Sequence, residues 1–268
     1  MLDAAPHPFQ RSKGTARVVL GPDGEVVDLF QKGSAKAMLP KVHSPVPEVV
    51  FLNTSGGLTG GDRLSLSLSV ADNSTVVAAT QTAERAYASS GDCAQVDVSI
   101  EIGEDAFCLW LPQETIAFDA SALNRKTTVT LGQGARFLGV ETLVLGRQAM
   151  NETLSGIDLT DKRQIYDIAG APLHAEHIQL SPNTLSRRAE KAGLADNTVF
   201  ATLIYIAEDA EDRIDAVRHR LGSTCVASAW GNRLVVRAEG DDSWTIRKHL
   251  IPIIEYLGIG RIPRVWQT

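Results

Sequence analysis

The sequence predicts a mainly β protein: a β-helix or solenoid-like stack of two-layer strands, with a small C-terminal α/β portion containing about two helices. Three observations predict it. First, three similar units follow one another between residues 51 and 150, at 66–84, 98–118 and 127–145. Val70 aligns with Ile102 and Gln81 with Gln113, both at an offset of 32, and Ile102 aligns with Leu131 at an offset of 29. Self-similarity at periods of roughly 20–50 residues marks stacked supersecondary units. Second, residues 96–102 read Val-Asp-Val-Ser-Ile-Glu-Ile, the period-two alternation of a half-buried strand. Third, the pattern changes after residue 197, where helical spacing appears for the first time. Residues 1–184 are therefore expected to form the solenoid-like body. Residues 185–268 form an α/β appendage packed on it, the two making one continuous structural unit.

In chain order, residues 1–14 are polar and contain proline, and are expected to be loose. They lack an apolar core, so they do not read as a secretory signal. Residues 15–20 alternate as a strand. Gly21-Pro22-Asp23-Gly24 is a turn signal, and residues 25–31 read as the returning strand. A short strand over 35–39 is followed by Pro40, Pro45 and Pro47, which exclude a helix there.

Residues 48–53 are nearly all apolar, which suits a fully buried strand. The following NTSGGLTGGDRL resembles a phosphate loop only superficially. It lacks the Gly-Lys-Ser/Thr ending, and an alternating strand follows it in place of a helix. Its four glycines are better read as tight backbone where strands change layer.

The three units end in TQTAERAY, PQETIAF and VETLVLG. Stacking brings Glu84, Glu114 and Glu141 roughly to one edge or groove. Such clustering follows from any stacked repeat, yet three carboxylates together also suit a hard cation or acid/base work.

Residues 158–168 form a polar, alternating strand. Residues 173–180, LHAEHIQL, place His174 and His177 three apart, hence on opposite faces of a strand, so they cannot share one ion; His174 and Glu176 do share a face. Residues 185–197 read as a loop with a frayed helical turn. Beyond it come a buried strand over 198–207 and an amphipathic helix over 209–221. A hairpin follows about Gly231-Asn232, then a second helix capped by Asp242 or Ser243 and running to Leu257. Pro252 is expected to kink or split that helix. The tail GIGRIPRVWQT is expected to dock on the body.

Composition excludes several classes. A formal charge of −6 argues against nucleic acid. Cys93, Cys108 and Cys225 are too few and too scattered for a disulfide framework or thiolate cage, in keeping with a reduced cytoplasmic setting. The sequence has no apolar run long enough to span a membrane as a helix.

Several words in this order, NTSGGLTGGDRL, TQTAERAY, WLPQETIAFD, GVETLVLGRQAM and the closing PRVWQT, resemble the urease accessory protein family UreD, also called UreH. Ser55 stands where that family more often carries Ala. The resemblance implies a cytoplasmic, non-enzymatic chaperone for nickel insertion into apo-urease. It implies β-helical members that bind UreF, recruit the GTPase UreG through UreF, and dock on the urease apoprotein. It implies passage of nickel through an internal channel, with no tightly bound cofactor and only transient Ni(2+). On that reading Asp62, Glu84, Glu114, Glu141 and Glu176 are candidate lining residues of the nickel path. Weak oxygen sites let an ion move on, where a tight cage would hold it. The competing expectation is a β-helical carbohydrate-active hydrolase or lyase using paired carboxylates.

Overall fold

A computed structural model of the chain describes residues 11–41, 44–147, 150, 152–190 and 193–267. The expectation of a loose N-terminus lies, for residues 1–10, outside the described residues. Lys13 and Gly14 already belong to the first strand.

The chain runs β1 (Lys13–Leu20), β2 (Val26–Gly33), β3 (Ala35–Met38), β4 (Glu48–Asn53), β5 (Arg63–Val70), β6 (Thr75–Thr80), β7 (Glu84–Ala86), β8 (Ala94–Ile102), β9 (Phe107–Leu111), β10 (Thr115–Ala117), β11 (Ser121–Leu131), β12 (Arg136–Leu145), β13 (Ile157–Asp167) and β14 (Pro172–Leu180). Then follow α1 (Pro182–Ser186), β15 (Val199–Ile206), α2 (Ile214–Arg218), β16 (Cys225–Trp230), β17 (Arg233–Gly240), α3 (Ser243–Leu257) and a 3-10 turn, Arg264–Trp266.

Two sheets face each other. The first has the order β14-β13-β11-β8-β5-β1-β2, the second β16-β17-β15-β12-β9-β6-β4-β3. Successive coils alternate between them, so β5, β8, β11 and β13 lie parallel in one layer, and β4, β6, β9 and β12 in the other. The repeat alignment is the strand register itself: Val70 pairs with Ile102, and Ile102 with Leu131. Each coil buries its inward face on its neighbours, as stacked repeats must.

Alternation decides which side chains point between the sheets. In β8 the buried positions are Ala94, Val96, Val98, Ile100 and Ile102, with polar residues between them. A second apolar core lies on the outer face of the second sheet. There Ile246, Leu250, Ile253, Ile254 and Leu257 of α3 pack with buried residues that include Leu138, Val140, Leu203 and Val236.

The glycine-rich crossing from β4 to β5 is tight backbone between layers. Gly57 sits at φ +147°, and a Cβ there would come within 2.3 Å of the Tyr87 ring. The hairpin joining β16 and β17 turns on Gly231 (φ +53°) and Asn232 (φ +62°), both positive as a two-residue hairpin turn of this kind demands. The tail docks on the body: Trp266 is buried and donates from Nε1 to the Leu111 carbonyl at 2.8 Å.

Two expectations are corrected. The helix over 209–221 is only the five-residue α2. Ala210 and Ile214 bond back to Ala207 and Glu211 in three-residue turns, and Asp209 is committed to Tyr205 and Arg213. No side chain caps α2, so its N-terminal orphan donors gain nothing from starting earlier. Of the kink or split expected at Pro252, the split does not occur: the second helix runs unbroken as α3. Pro252 is exposed, so the carbonyl it leaves unpaired faces water, and the buried stripe holds the helix on the sheet. Among the C-terminal strands, β15 pairs antiparallel with β12 along eight residues and extends the second sheet.

Candidate functional site

The inward parity of several strands is interrupted by polar residues at one level. In β11 it reads Leu123, Arg125, Thr127, Val129; in β13, Leu159, Asp161, Arg163, Ile165, all buried. Register places Arg125 beside Asp161, Thr127 beside Arg163, and Arg163 beside Glu176 of β14. From the facing sheet come Glu141 of β12, Thr202 of β15 and Arg237 of β17.

These side chains form one chain of alternating charge. Arg125 donates to both carboxylate oxygens of Asp161, at 3.0 and 2.7 Å, and to Thr115 Oγ1 at 2.9 Å. Its Nη1 also lies 2.8 Å from Glu141 Oε2. Asp161 is shared with Arg163, whose Nη1 donates to Glu176 at 2.8 Å; the other oxygen of Glu176 meets Arg237 Nη1 at 2.7 Å. Three cations thus offset three carboxylates, as buried charge requires. Burial pushes the Asp161 carboxyl up, but Arg125 and Arg163 outweigh it and hold the group at about 2. Burial likewise opposes the Arg125 charge, and Asp161 and Glu141 more than restore it.

Glu84 stands apart from this chain. Asn53 Nδ2 donates to its carboxylate at 3.2 and 3.3 Å. Burial pushes its pKa up to about 7, against smaller opposing contributions from Asn53, Arg85 and Arg125. Burial thus favours the neutral form of this carboxyl.

Small cavities follow the same line. One of about 60 Å³ lies at Asn53, Thr80 and Glu84. The next, about 50 Å³, shares Thr80 and Glu84 and reaches Arg125 and Glu141. A third, about 20 Å³, shares Glu141 and reaches Thr127, Arg163 and Thr202. Thr127 Oγ1 and Glu141 Oε2 are buried beside it with no hydrogen-bond partner among the described residues. The Arg125–Glu141 contact is an ion pair without a donor aligned on Oε2. A space of about 20 Å³ has room for one water molecule.

The structure distributes the sequence-predicted residues unevenly. Glu84 and Glu141 line one interior cavity, and Glu176 ends the same charge chain. Glu114 does not join them. Register stacks Glu84 on Thr115 and Thr115 on Leu143, so Glu114, one residue away, points to the other side of the sheet. There it meets Arg247 of α3 at 2.8 Å. Asp62 accepts from the main-chain N–H of Ser12 at 2.7 Å and of Thr59 at 2.9 Å, closing the glycine-rich crossing. Among the described residues no group of three or more His, Cys, Asp and Glu is placed to hold a metal ion. His174 is buried and His177 exposed, on opposite faces as strand period requires.

Arg125, Asp161, Arg163 and Arg237 escaped the sequence reading. A signal for the first three existed. Each occupies a parity otherwise filled by Leu, Val and Ile, and Arg125 and Asp161 recur at a spacing that puts opposite charges in register.

Comparison with known proteins places the chain in a family. A family model described as UreD urease accessory protein matches residues 12–267. The chain belongs to the UreD urease accessory protein family. It is 47% identical to the urease accessory protein UreD of Cereibacter sphaeroides, over 97% of this chain and 96% of that one. It is 43% identical to the UreD of Paracoccus denitrificans, over 100% and 97%, and 42% identical to that of a Jannaschia species, over the whole of both. No helix among the described residues of this UreD family member is long and apolar enough to cross a membrane.

Proposed function

We propose that this chain serves urease maturation in the cytoplasm as a non-catalytic scaffold. It docks on the urease apoprotein with UreF, and with the GTPase UreG through UreF, and passes nickel towards the urease active site through its interior. The observation that carries the reading is the row of small cavities between the sheets, with Glu84 and Glu141 lining the one that links the other two. Isolated carboxylate oxygens bind a divalent ion weakly enough to release it. Glu84 suits an entry position: a carboxyl whose neutral form is favoured by burial waits at little cost, and exchanges its proton for the arriving cation. Asp62 and Glu114 would act from outside the interior, through the crossing and α3.

Arg125 and Arg163 bear on the mechanism directly. An ion moving past Glu141 towards Glu176 must do so beside two pinned guanidinium groups, which repel it. Arg125 also lines the Glu84–Glu141 cavity, so passage there requires its guanidinium to swing away from Glu141.

Cavities of this size hold water or an ion. Bound organic ligands need several hundred cubic ångströms, which speaks against the sugar-cleaving alternative at these carboxylates.

Co-expression with the urease subunits tests the proposal. Glu84→Gln and Glu141→Gln are expected to lower the nickel content of purified urease several-fold while the variants still co-purify with it. Full nickel occupancy in both variants would remove the interior route. Failure of the wild-type chain to co-purify with urease or its accessory proteins would remove the scaffold role.

A further inference from the structure

The two sheets do not end together. Glu176 of β14 meets Arg237 of β17, so these strands face each other across the interior. Beyond β14 the first sheet stops, whereas the second continues by one more strand, β16. The face of β16 that would look inward carries Val226, Ser228 and Trp230, paired with Arg237, Val235 and Arg233. Val226 is 67% exposed and Trp230 47%. A cleft of about 320 Å³ lies there, bounded by His174 of β14 on one side and by β16 and β17 on the other.

The polar groups in this cleft are incompletely matched. His174 is only 8% exposed, yet its Nε2 has no hydrogen-bond partner among the described residues. The same holds for Nε of Arg233, whose guanidinium lies 5.5 Å from the Trp230 ring. Arg233 Nε is a donor by its chemistry, and His174 Nε2 is one in the tautomer that carries its proton there; a buried donor left without an acceptor is costly. The charge around them is positive. Arg163 and Arg237 are paired with Asp161 and Glu176, whereas Arg233 has no carboxylate partner among the described residues and supplies the cleft's unbalanced positive charge. A cation is therefore repelled from the cleft, and an anion is drawn to it.

We propose that this open end receives an extended, acidic segment of a partner protein, with one carboxylate seated between Arg233 and His174. Half the main-chain groups of an edge strand are free to pair, and β14 is such an edge. A segment added there supplies the strand that β16 lacks opposite it. Its apolar residues cover Val226 and Trp230, and its carboxylate accepts from Arg233 Nε. Charge assistance makes that contact the anchor, and the exposed apolar face favours a protein over a free small anion.

The test needs no knowledge of the partner. A displayed library of random nine-residue peptides is selected on the purified full-length chain, with counter-selection on Arg233→Gln. Enriched peptides are expected to carry Asp or Glu flanked by β-branched or aromatic residues. They should bind the wild type at least tenfold more tightly than Arg233→Gln or His174→Gln, and lose as much when the acid becomes its amide. Trp230→Ser, on an exposed position that does not threaten folding, should weaken the peptide several-fold. No enrichment, enrichment without an acid, or binding indifferent to Arg233→Gln and Trp230→Ser would each overturn the proposal. So would sodium acetate or phosphate displacing the peptide at the peptide's own concentration, which marks a site for free anions.

Discussion

Arg125 grips Asp161 through both carboxylate oxygens, at 3.0 and 2.7 Å, in an interior whose core is largely apolar. The two residues come from neighbouring coils, in register across a parallel pair. A bidentate pair of this kind survives burial only because each remaining charge is also met: Asp161 by Arg163, and Arg125 by Glu141.

Removing one partner should therefore be severe. Arg125→Met leaves the buried Glu141 without its cation and Asp161 with Arg163 alone, and is expected to cost about 3–5 kcal/mol in urea unfolding. Adding Glu141→Gln to it should return part of that loss, because the charge left uncompensated is then removed. A loss below about 1 kcal/mol would show that water reaches the pair freely.

Glu84 should make stability depend on pH. Its carboxyl titrates near 7 when folded and in the ordinary carboxylate range when unfolded. Below that range both states hold the proton and the group has no effect. Between roughly pH 4.5 and 7 the unfolded chain gives up its proton first, so stability falls as pH rises. Glu84→Gln cannot ionise. It should gain on the wild type by on the order of 2 kcal/mol between pH 5 and pH 8 in chemical unfolding. An unchanged difference between the two pH values would place Glu84 in water.

Glu114 should separate from Glu84 and Glu141 in function. It is partnered by Arg247, which also donates to Gln113 and lies 5.1 Å from the Trp266 ring. Glu114→Gln is expected to cost about 1 kcal/mol through the docking of α3. It should leave the nickel content of co-expressed urease within twofold of wild type. A loss of nickel as large as that of Glu141→Gln would put Glu114 on the ion's route.

Trp266 anchors the tail against the second sheet. Trp266→Ala opens a cavity and orphans the Leu111 carbonyl, with an expected loss of about 3–5 kcal/mol by thermal or urea unfolding. The tail also brings Arg261 to the buried Glu48. Equal stability with and without the Trp266 side chain would mean the tail is not held there.

Much of the β architecture was legible because strand period and repeat offset are local properties. Val70, Ile102 and Leu131 were aligned by sequence, and they are hydrogen-bonded neighbours. The two misread helical features have physical causes. Residues 209–221 show helical spacing, but Asp209 is drawn to Tyr205 and Arg213. Pro252 breaks a helix only where its lost hydrogen bond cannot be replaced, and its position is solvent-facing. The candidate site was legible in part. Glu84 and Glu141 were found by repeat position, while Glu114 was grouped with them because a one-residue error in loose alignment reverses the face.

Sequence alone determined the stacked β architecture and the register of the three repeats, since a period of two leaves each side chain only two directions. It did not decide what the inward residues meet. Arg125 finds Glu141, and Glu176 finds Arg237, only across the gap between sheets, from strands whose facing is set by packing of the whole stack. The same holds for the overhang of β16 beyond β14: the number of strands in each layer is decided where the chain stops coiling and folds back, and no short pattern records it.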